Sequence, residues 1–374
     1  MHKRLKPPFR ADQVGSLIRP KALIEARQAR DKGEITRDQL LRIQQTAIRD
    51  VVRRQEDIGL KSITDGEFNR GTWQSDFLLK IENVKQGEAR FTITFHSEKG
   101  TTAGKPHATL VVGKLRRPKG IFVDDFKFLK SITRATPKIT IPSPSVMHFR
   151  GGRHTVDKKA YPDMAAFYAD LARVYSEEIK DLASAGCRYL QLDEVNFAYL
   201  CDPTLREQVR TNIGEDPDKL PHTYAKLIND SIAGRPDDMV VCMHICRGNF
   251  AGNWMAEGGY DPVAEVLFNE INVDGYFLEY DTTRAGGFEP LRFLPKGKIA
   301  VLGLVTTKKG DLETKDDLKR RIDEAAKFAP LEQLAVSPQC GFASGIAGAT
   351  MTVEQEFAKL SLVVETAQEV WGSA

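Results

Sequence analysis

Long apolar runs are missing from this chain. Its most hydrophobic stretches, such as residues 299–305, fall far short of the roughly 20 residues that a membrane-spanning helix requires, so no transmembrane helix is expected. Cysteine is scarce: the five, at positions 187, 201, 242, 246 and 340, are odd in number and widely spaced, which does not suit the disulfide framework of a secreted protein. The basic opening, residues 1–10, runs into Ala11-Asp12-Gln13 and not into an apolar segment with a small-residue cleavage site. No signal peptide is expected, and a reducing cytoplasm fits. An excess of one charge is missing too. Lys and Arg number 54 against 51 Asp and Glu, a net charge of +3 spread along the chain, which argues against nucleic acid or an anionic membrane as the main partner.

What the chain has is length and alternation. Its 374 residues could make one generous barrel or two smaller domains, and no break in composition calls for two, so residues 1–374 read as a single catalytic domain. Apolar residues recur at helical spacing over residues 37–58, Gly59 stops them, and Ser62-Ile63-Thr64 runs into Asp65-Gly66-Glu67. The same order of helix, glycine, apolar run and polar end recurs. Strand-like runs at 62–64, 138–141, 189–192, 239–246, 275–279, 299–304 and 334–336 alternate with helical patterns, and a segment near Val14-Gly15-Ser16 can supply an eighth. Such alternation means a parallel sheet with helical crossovers, open or closed. The count favours a closed (β/α)8 TIM barrel, whose active site lies at the C-terminal strand ends. One region breaks the alternation: at about residues 90–115, Phe91–Phe95 and Ala108–Val112 flank a Gly-containing polar segment and predict an inserted β-hairpin over the barrel mouth.

The strand ends carry the chemistry. His244-Ile245-Cys246 closes one apolar run, and Glu279 and Cys340 close two later ones. A His and a Cys two residues apart in a strand point to the same side. Zinc takes imidazole, thiolate and carboxylate together, so His244, Cys246, Glu279 and Cys340 form a suitable ligand set if the fold gathers the strand ends. Each alone has a bland alternative as core or scaffold residue. Cys242, deeper on the same face, reads as core. Asp65, Glu67, Asp193 and Glu194 also end strands; the bland account is turn formation, and the functional one is a cluster that binds an ammonium group or moves protons. Trp73, Trp254, Phe197 and Tyr199 lie in post-strand loops, where they can stack on a flat heterocycle or simply pack. The glycine-rich stretch from Gly341 to Gly348 lacks the Lys-Ser/Thr ending of a phosphate loop and reads as a tight turn between strand and helix.

In order along the chain, Val14-Gly15-Ser16, Asp65-Gly66-Glu67, Gln191-Leu192-Asp193-Glu194, Met243-His244-Ile245-Cys246, Phe277-Leu278-Glu279-Tyr280 and Ser337-Pro338-Gln339-Cys340-Gly341 resemble the cobalamin-independent methionine synthase family. The resemblance spans nearly the whole chain and is to the family's C-terminal catalytic barrel, as in its short members. It implies methyl transfer from a methyltetrahydrofolate to the sulfur of homocysteine, zinc on His244, Cys246, Glu279 and Cys340, and amino-acid binding by Gly15, Ser16, Glu67 and Asp193. The chain departs from the long enzymes where they carry a His followed by Ser-Pro and it reads Leu304-Val305-Thr306-Thr307-Lys308. Either a carboxylic acid such as Glu194 then supplies the proton, or the donor is a different one. The same zinc framework also resembles that of epoxyalkane:coenzyme M transferases, which leaves another zinc-thiolate alkyltransferase as the alternative. Assembly into a homo-oligomer stays open.

Overall fold

The computed structural model describes residues 4–89, 93–97, 100–104, 107–249, 252–346 and 349–374. Helix Arg37–Asp57 starts on a reciprocal cap: the Thr36 side chain accepts from the Gln39 backbone, and the Gln39 side chain from the Thr36 backbone. That satisfies donors a helix start leaves open. The helix buries Ile48, Val51 and Val52 along one stripe, and Gly59, at φ 90°, turns the chain into β1 (Ser62–Ile63).

The inserted segment differs from expectation. It forms two antiparallel ribbons, not one hairpin. β2 (Glu82–Glu88) pairs with β5 (His107–Arg116), while β3 (Ile93–Ser97) pairs with β4 (Gly100–Gly104) between them. Of the predicted first strand, Phe91 and Thr92 lie outside the described residues. The physical reason is loop closure: β3 meets the extended segment that follows it most closely, which costs less chain entropy than reaching 108–112. β2 was illegible because only Val84 of its seven residues is buried. The inner ribbon is fastened across the mouth of the fold, where His96 and Trp254 exchange backbone hydrogen bonds of 2.7 and 3.0 Å.

From here the helix–strand alternation resumes. β6 (Thr136–Pro137) pairs in parallel with β1, and β7 (Ile139–Pro142) begins a six-stranded parallel sheet. It continues through β8 (Tyr189–Glu194), β9 (Val240–Ile245), β10 (Gly275–Glu279), β11 (Ile299–Val305) and β12 (Leu334–Pro338). Helices Met164–Ser184, Leu220–Ile232, Asp261–Asn269 and Lys315–Ala325 fall between strands. Beyond β12, Ala11 makes a parallel bridge to Val336. Side chains on the inner face, Val14, Tyr189, Cys242, Phe277, Ile299, Val301 and Ala335, pack into a core of their own. Below them Asp12 and Lys138 form a fully buried ion pair at 3.2 Å, with the Tyr189 and Ser62 hydroxyls donating to the same carboxylate. Among the described residues no helix is long and apolar enough to cross a membrane.

Register puts the polar strand ends level. Asp193 is paired with His244, and Phe277 with His244 on its other side. A register shift between Gly303 and Val305 brings the segment after β12 over β10: a Cβ on Gly303 would stand 2.8 Å from both the Gln339 Cα and the Leu278 carbonyl. Only glycine allows that approach.

The last helix, Val353–Trp371, braces the opening segment. Glu356 in its first turn is fully buried and accepts a 2.9 Å hydrogen bond from the Ile18 backbone, just beyond Gly15 and Ser16. Burial pushes its carboxyl up from the ordinary 4.5 to about 8, against the pull of the Ile18 donor and Arg54. A folded-state value above the unfolded one gives stability that is full below the unfolded value and is lost as pH rises through the folded one. Glu356→Gln keeps the acceptor for Ile18 and removes the charge. Urea unfolding between about pH 5 and about pH 8 should therefore show the variant gaining at least ~1 kcal/mol on the wild type; parallel curves would mean that Glu356 titrates in the folded protein as it does in the unfolded chain.

Candidate metal centre and substrate cavity

β9, β10 and the turn after β12 bring His244, Cys246, Glu279 and Cys340 together, with one potential ligand atom from each lying within 4.8 Å of the others. A tetrahedral dication with bonds of about 2.0–2.3 Å spaces its donors roughly 3.3–3.8 Å apart, so the cluster needs to contract by about 1.5 Å at most. The two sulfurs already stand 3.4 Å apart. Both ring nitrogens of His244 are buried without a hydrogen-bond partner among the described residues, the condition of an imidazole that lacks its ligand. Glu279 is held by the Arg247 backbone N–H on one oxygen, at 2.8 Å, and by the Gln339 amide on the other, at 3.2 Å. The Gly248 backbone N–H points at the Cys246 sulfur at 3.3 Å. The residues present fit zinc, and such outer support is what fixes ligands in place.

The electrostatics agree. The hydrogen bond between the sulfurs draws Cys246 well below the usual thiol range and pushes Cys340 up, so the pair shares a proton. Burial, and then Cys246, push Glu279 up to about 7. A bound dication would displace these protons. Cys242 keeps to the inner core, as expected, and burial raises its thiol.

Above the cluster opens a cavity of about 270 Å³, onto which His244, Cys246 and Cys340 face. Two of the four predicted carboxylates line it, Glu67 and Asp193. Glu67 sits in the left-handed region at φ 61°, a strained conformation for a residue other than glycine. One of its oxygens takes the Thr140 hydroxyl at 2.9 Å and lies 3.4 Å from Arg70, while the other is buried without a partner among the described residues. Asp193 accepts from the Gln191 amide at 2.7 Å, and burial, reinforced by Glu67, raises its carboxyl.

The other two carboxylates are turned elsewhere. Asp65 accepts from the Glu67 backbone at 2.9 Å, the turn-forming role. Glu194, on the opposite face of β8 from Asp193, accepts from the Ser145 hydroxyl and, at 2.6 Å, from the Asn196 backbone, and it does not line the cavity. Ser16 lines the wall, and its hydroxyl occupies the place where a Cβ on Gly341 would be, 1.9 Å away. Gly15, at φ 137°, supports it: a Cβ there would meet Thr140 at 2.8 Å. Of the four aromatic candidates, Trp73 and Tyr199 line the cavity. Phe197 is buried in the core, and Trp254 hydrogen-bonds Glu257 outside. Phe95 of the inner ribbon closes part of the mouth.

Residues 9–369 match the family model described as "Cobalamin-independent synthase, Catalytic domain". The Bacillus subtilis protein YxjH is 46% identical over 99% of this chain and 96% of its own length. The chain belongs to the cobalamin-independent methionine synthase family. The methionine synthase of Pyrococcus abyssi is 26% identical over 88% of this chain and 84% of its own. A crystal structure of the putative vitamin-B12-independent methionine synthase of Listeria monocytogenes superposes with a TM-score of 0.78 at 37% identity, covering 99% of this chain and 100% of that one. That of a B12-independent methionine synthase from Shewanella sp. W3-18-1, in complex with selenomethionine, shares the fold at a TM-score of 0.73 and 21% identity, over 96% and 97%.

The site of this methionine synthase relative includes residues that sequence patterns did not mark. Arg19 ties the loops together, donating to the carbonyls of Glu67, Arg70, Ala343 and Gly345. Gln339 links Glu279 to Thr307. Arg150, on the cavity wall, donates to the His107 carbonyl. Each acts through a contact distant in sequence, and only the Gln339–Cys340 adjacency gave a signal. After equilibration with zinc, His244→Ala and Cys340→Ala should hold little of the ion, since three donors bind it poorly. Cys242→Ala should hold as much as wild type. Elemental analysis checks all three, and zinc loss in the Cys242 variant would place the wrong sulfur in the site.

Proposed function

We propose that this protein is a zinc-dependent S-methyltransferase that moves a methyl group from a methyltetrahydrofolate to the thiol of homocysteine, forming methionine. The carrying observation is the meeting of the His244, Cys246, Glu279, Cys340 cluster with two cavity-facing carboxylates, Glu67 and Asp193, at one cavity. Membership of a methyltransferase family supports it. When bound, zinc keeps a substrate thiol ionised yet nucleophilic. The chain's residues do the rest. Glu67 and Asp193 hold the substrate ammonium, and the Gly15-Ser16 turn faces its carboxylate. Trp73, Phe95, Tyr199 and Met255 form the wall that keeps water from the reacting sulfur. The sulfur gains the methyl group and the donor nitrogen N5 keeps the bond electrons, taking up a proton as it leaves. Glu194 is left out of this step, because its carboxyl is engaged away from the cavity.

The whole of residues 1–374 then works as one catalytic (β/α)8 barrel in the cytoplasm. The Ala11–Val336 bridge and the Ser62–Thr136 pairing support closure. A second zinc-thiolate chemistry, alkylation of coenzyme M, is disfavoured by the paired acids, which suit an ammonium and not a sulfonate. Offered both thiols, the zinc-loaded protein should bind homocysteine and ignore coenzyme M. Glu67→Gln and Asp193→Asn should each weaken homocysteine roughly ten- to hundredfold by calorimetry with zinc content unchanged; unaltered affinity in both would remove the ammonium site. With methyltetrahydrofolate as donor, turnover should be slow and rise as pH falls, since N5 must be protonated, until ligand protonation releases zinc. A pre-activated sulfonium donor should lack that rise, and a fast, pH-independent folate reaction would show that no proton donor is missing.

A further inference from the structure

Four other buried cations have a carboxylate or an aromatic face beside them. Lys138 pairs with Asp12, Lys359 with Glu313, and Arg70 with Glu67 and Thr140, while Arg247 lies over the Tyr260 ring at 4.5 Å. Lys308 has none: its ammonium nitrogen is buried and makes no hydrogen bond among the described residues. An unpaired buried charge is costly and persists only where something nearby offsets it. Lys308 follows β11, and its neighbour Thr307 donates through both backbone and hydroxyl to Gln339, which in turn holds Glu279. Lys308 thus stands one residue from the hydrogen-bonded chain that holds Glu279, and its charge acts on Glu279 and Cys340.

We propose that Lys308 is the counter-cation of the metal centre and favours binding of the substrate as a thiolate. Two thiolates and a carboxylate around a dication leave one negative charge in excess, and a substrate thiolate adds a second among buried groups. A fixed ammonium at its edge offsets that addition. Lys308 is accordingly a positioning residue, acting through the ligand set. This inference rests on the proposed thiol chemistry, and the test separates the two.

Zinc-loaded wild type, Lys308→Met and Lys308→Arg are titrated by calorimetry with homocysteine, with methionine and with 2-mercaptoethanol. Methionine has the same amino-acid head as homocysteine but a neutral sulfur. Lys308→Met should weaken homocysteine about tenfold or more, a modest share of what a close charge is worth in a dry site. It should change methionine less than about twofold, and Lys308→Arg should restore most of the loss. Equal losses for homocysteine and methionine would reduce Lys308 to a structural role and overturn the proposal, as would no loss at all. Should wild type bind 2-mercaptoethanol but not homocysteine, the substrate assignment fails, and the same tenfold difference read on 2-mercaptoethanol decides Lys308. A wild type that binds no thiol overturns both.

Discussion

Parallel register is the constraint on which the site depends. Asp193, His244 and Phe277 share one level across β8, β9 and β10, and the Gly303 shift lowers the turn after β12 onto that level. A one-residue slip in any of these strands would turn its ligand to the other face. The inner core and the buried Asp12–Lys138 pair resist such a slip from below. Slippage would bury unmatched charge, which costs far more than the pair itself contributes.

Above that level the molecule holds strain and unmet polarity that a purely structural core would avoid. Among the described residues, both ring nitrogens of His244, one buried oxygen of Glu67 and the Lys308 ammonium lack a hydrogen-bond partner, and Glu67 has a left-handed backbone. His244 and Glu67 line one cavity, and Lys308 acts electrostatically on Glu279 and Cys340 beside it. Under the proposed function they have one explanation, a site that receives charged groups, whose arrival supplies the missing partners. The inner ribbon adds Phe95 to the wall of the cavity, and an apolar wall strengthens such interactions by lowering the local dielectric.

Much of this was legible in advance. The βα alternation follows from apolar periodicity, and the gathering of His244, Cys246, Glu279 and Cys340 and the core place of Cys242 follow from strand-end positions, where each side chain's face is set by its neighbours. The acids were only half legible. Asp193 and Glu194 are adjacent, so they must face opposite ways, and their positions alone did not settle which faced inward. Asp65 and Glu67 share a turn whose backbone leaves the regular alternation, so their directions depended on a left-handed residue that no pattern announces.

By itself the sequence determined the kind of fold and the donor chemistry, because periodicity and residue type are local properties. The tertiary structure alone decided which distant pieces meet. Cys246 and Cys340 touch across 94 positions, Arg19 stitches two loops, β5 pairs with β2, and Gln339 ties Thr307 to Glu279. These outcomes depend on loop closure, register and burial acting over the whole chain, which no local pattern encodes.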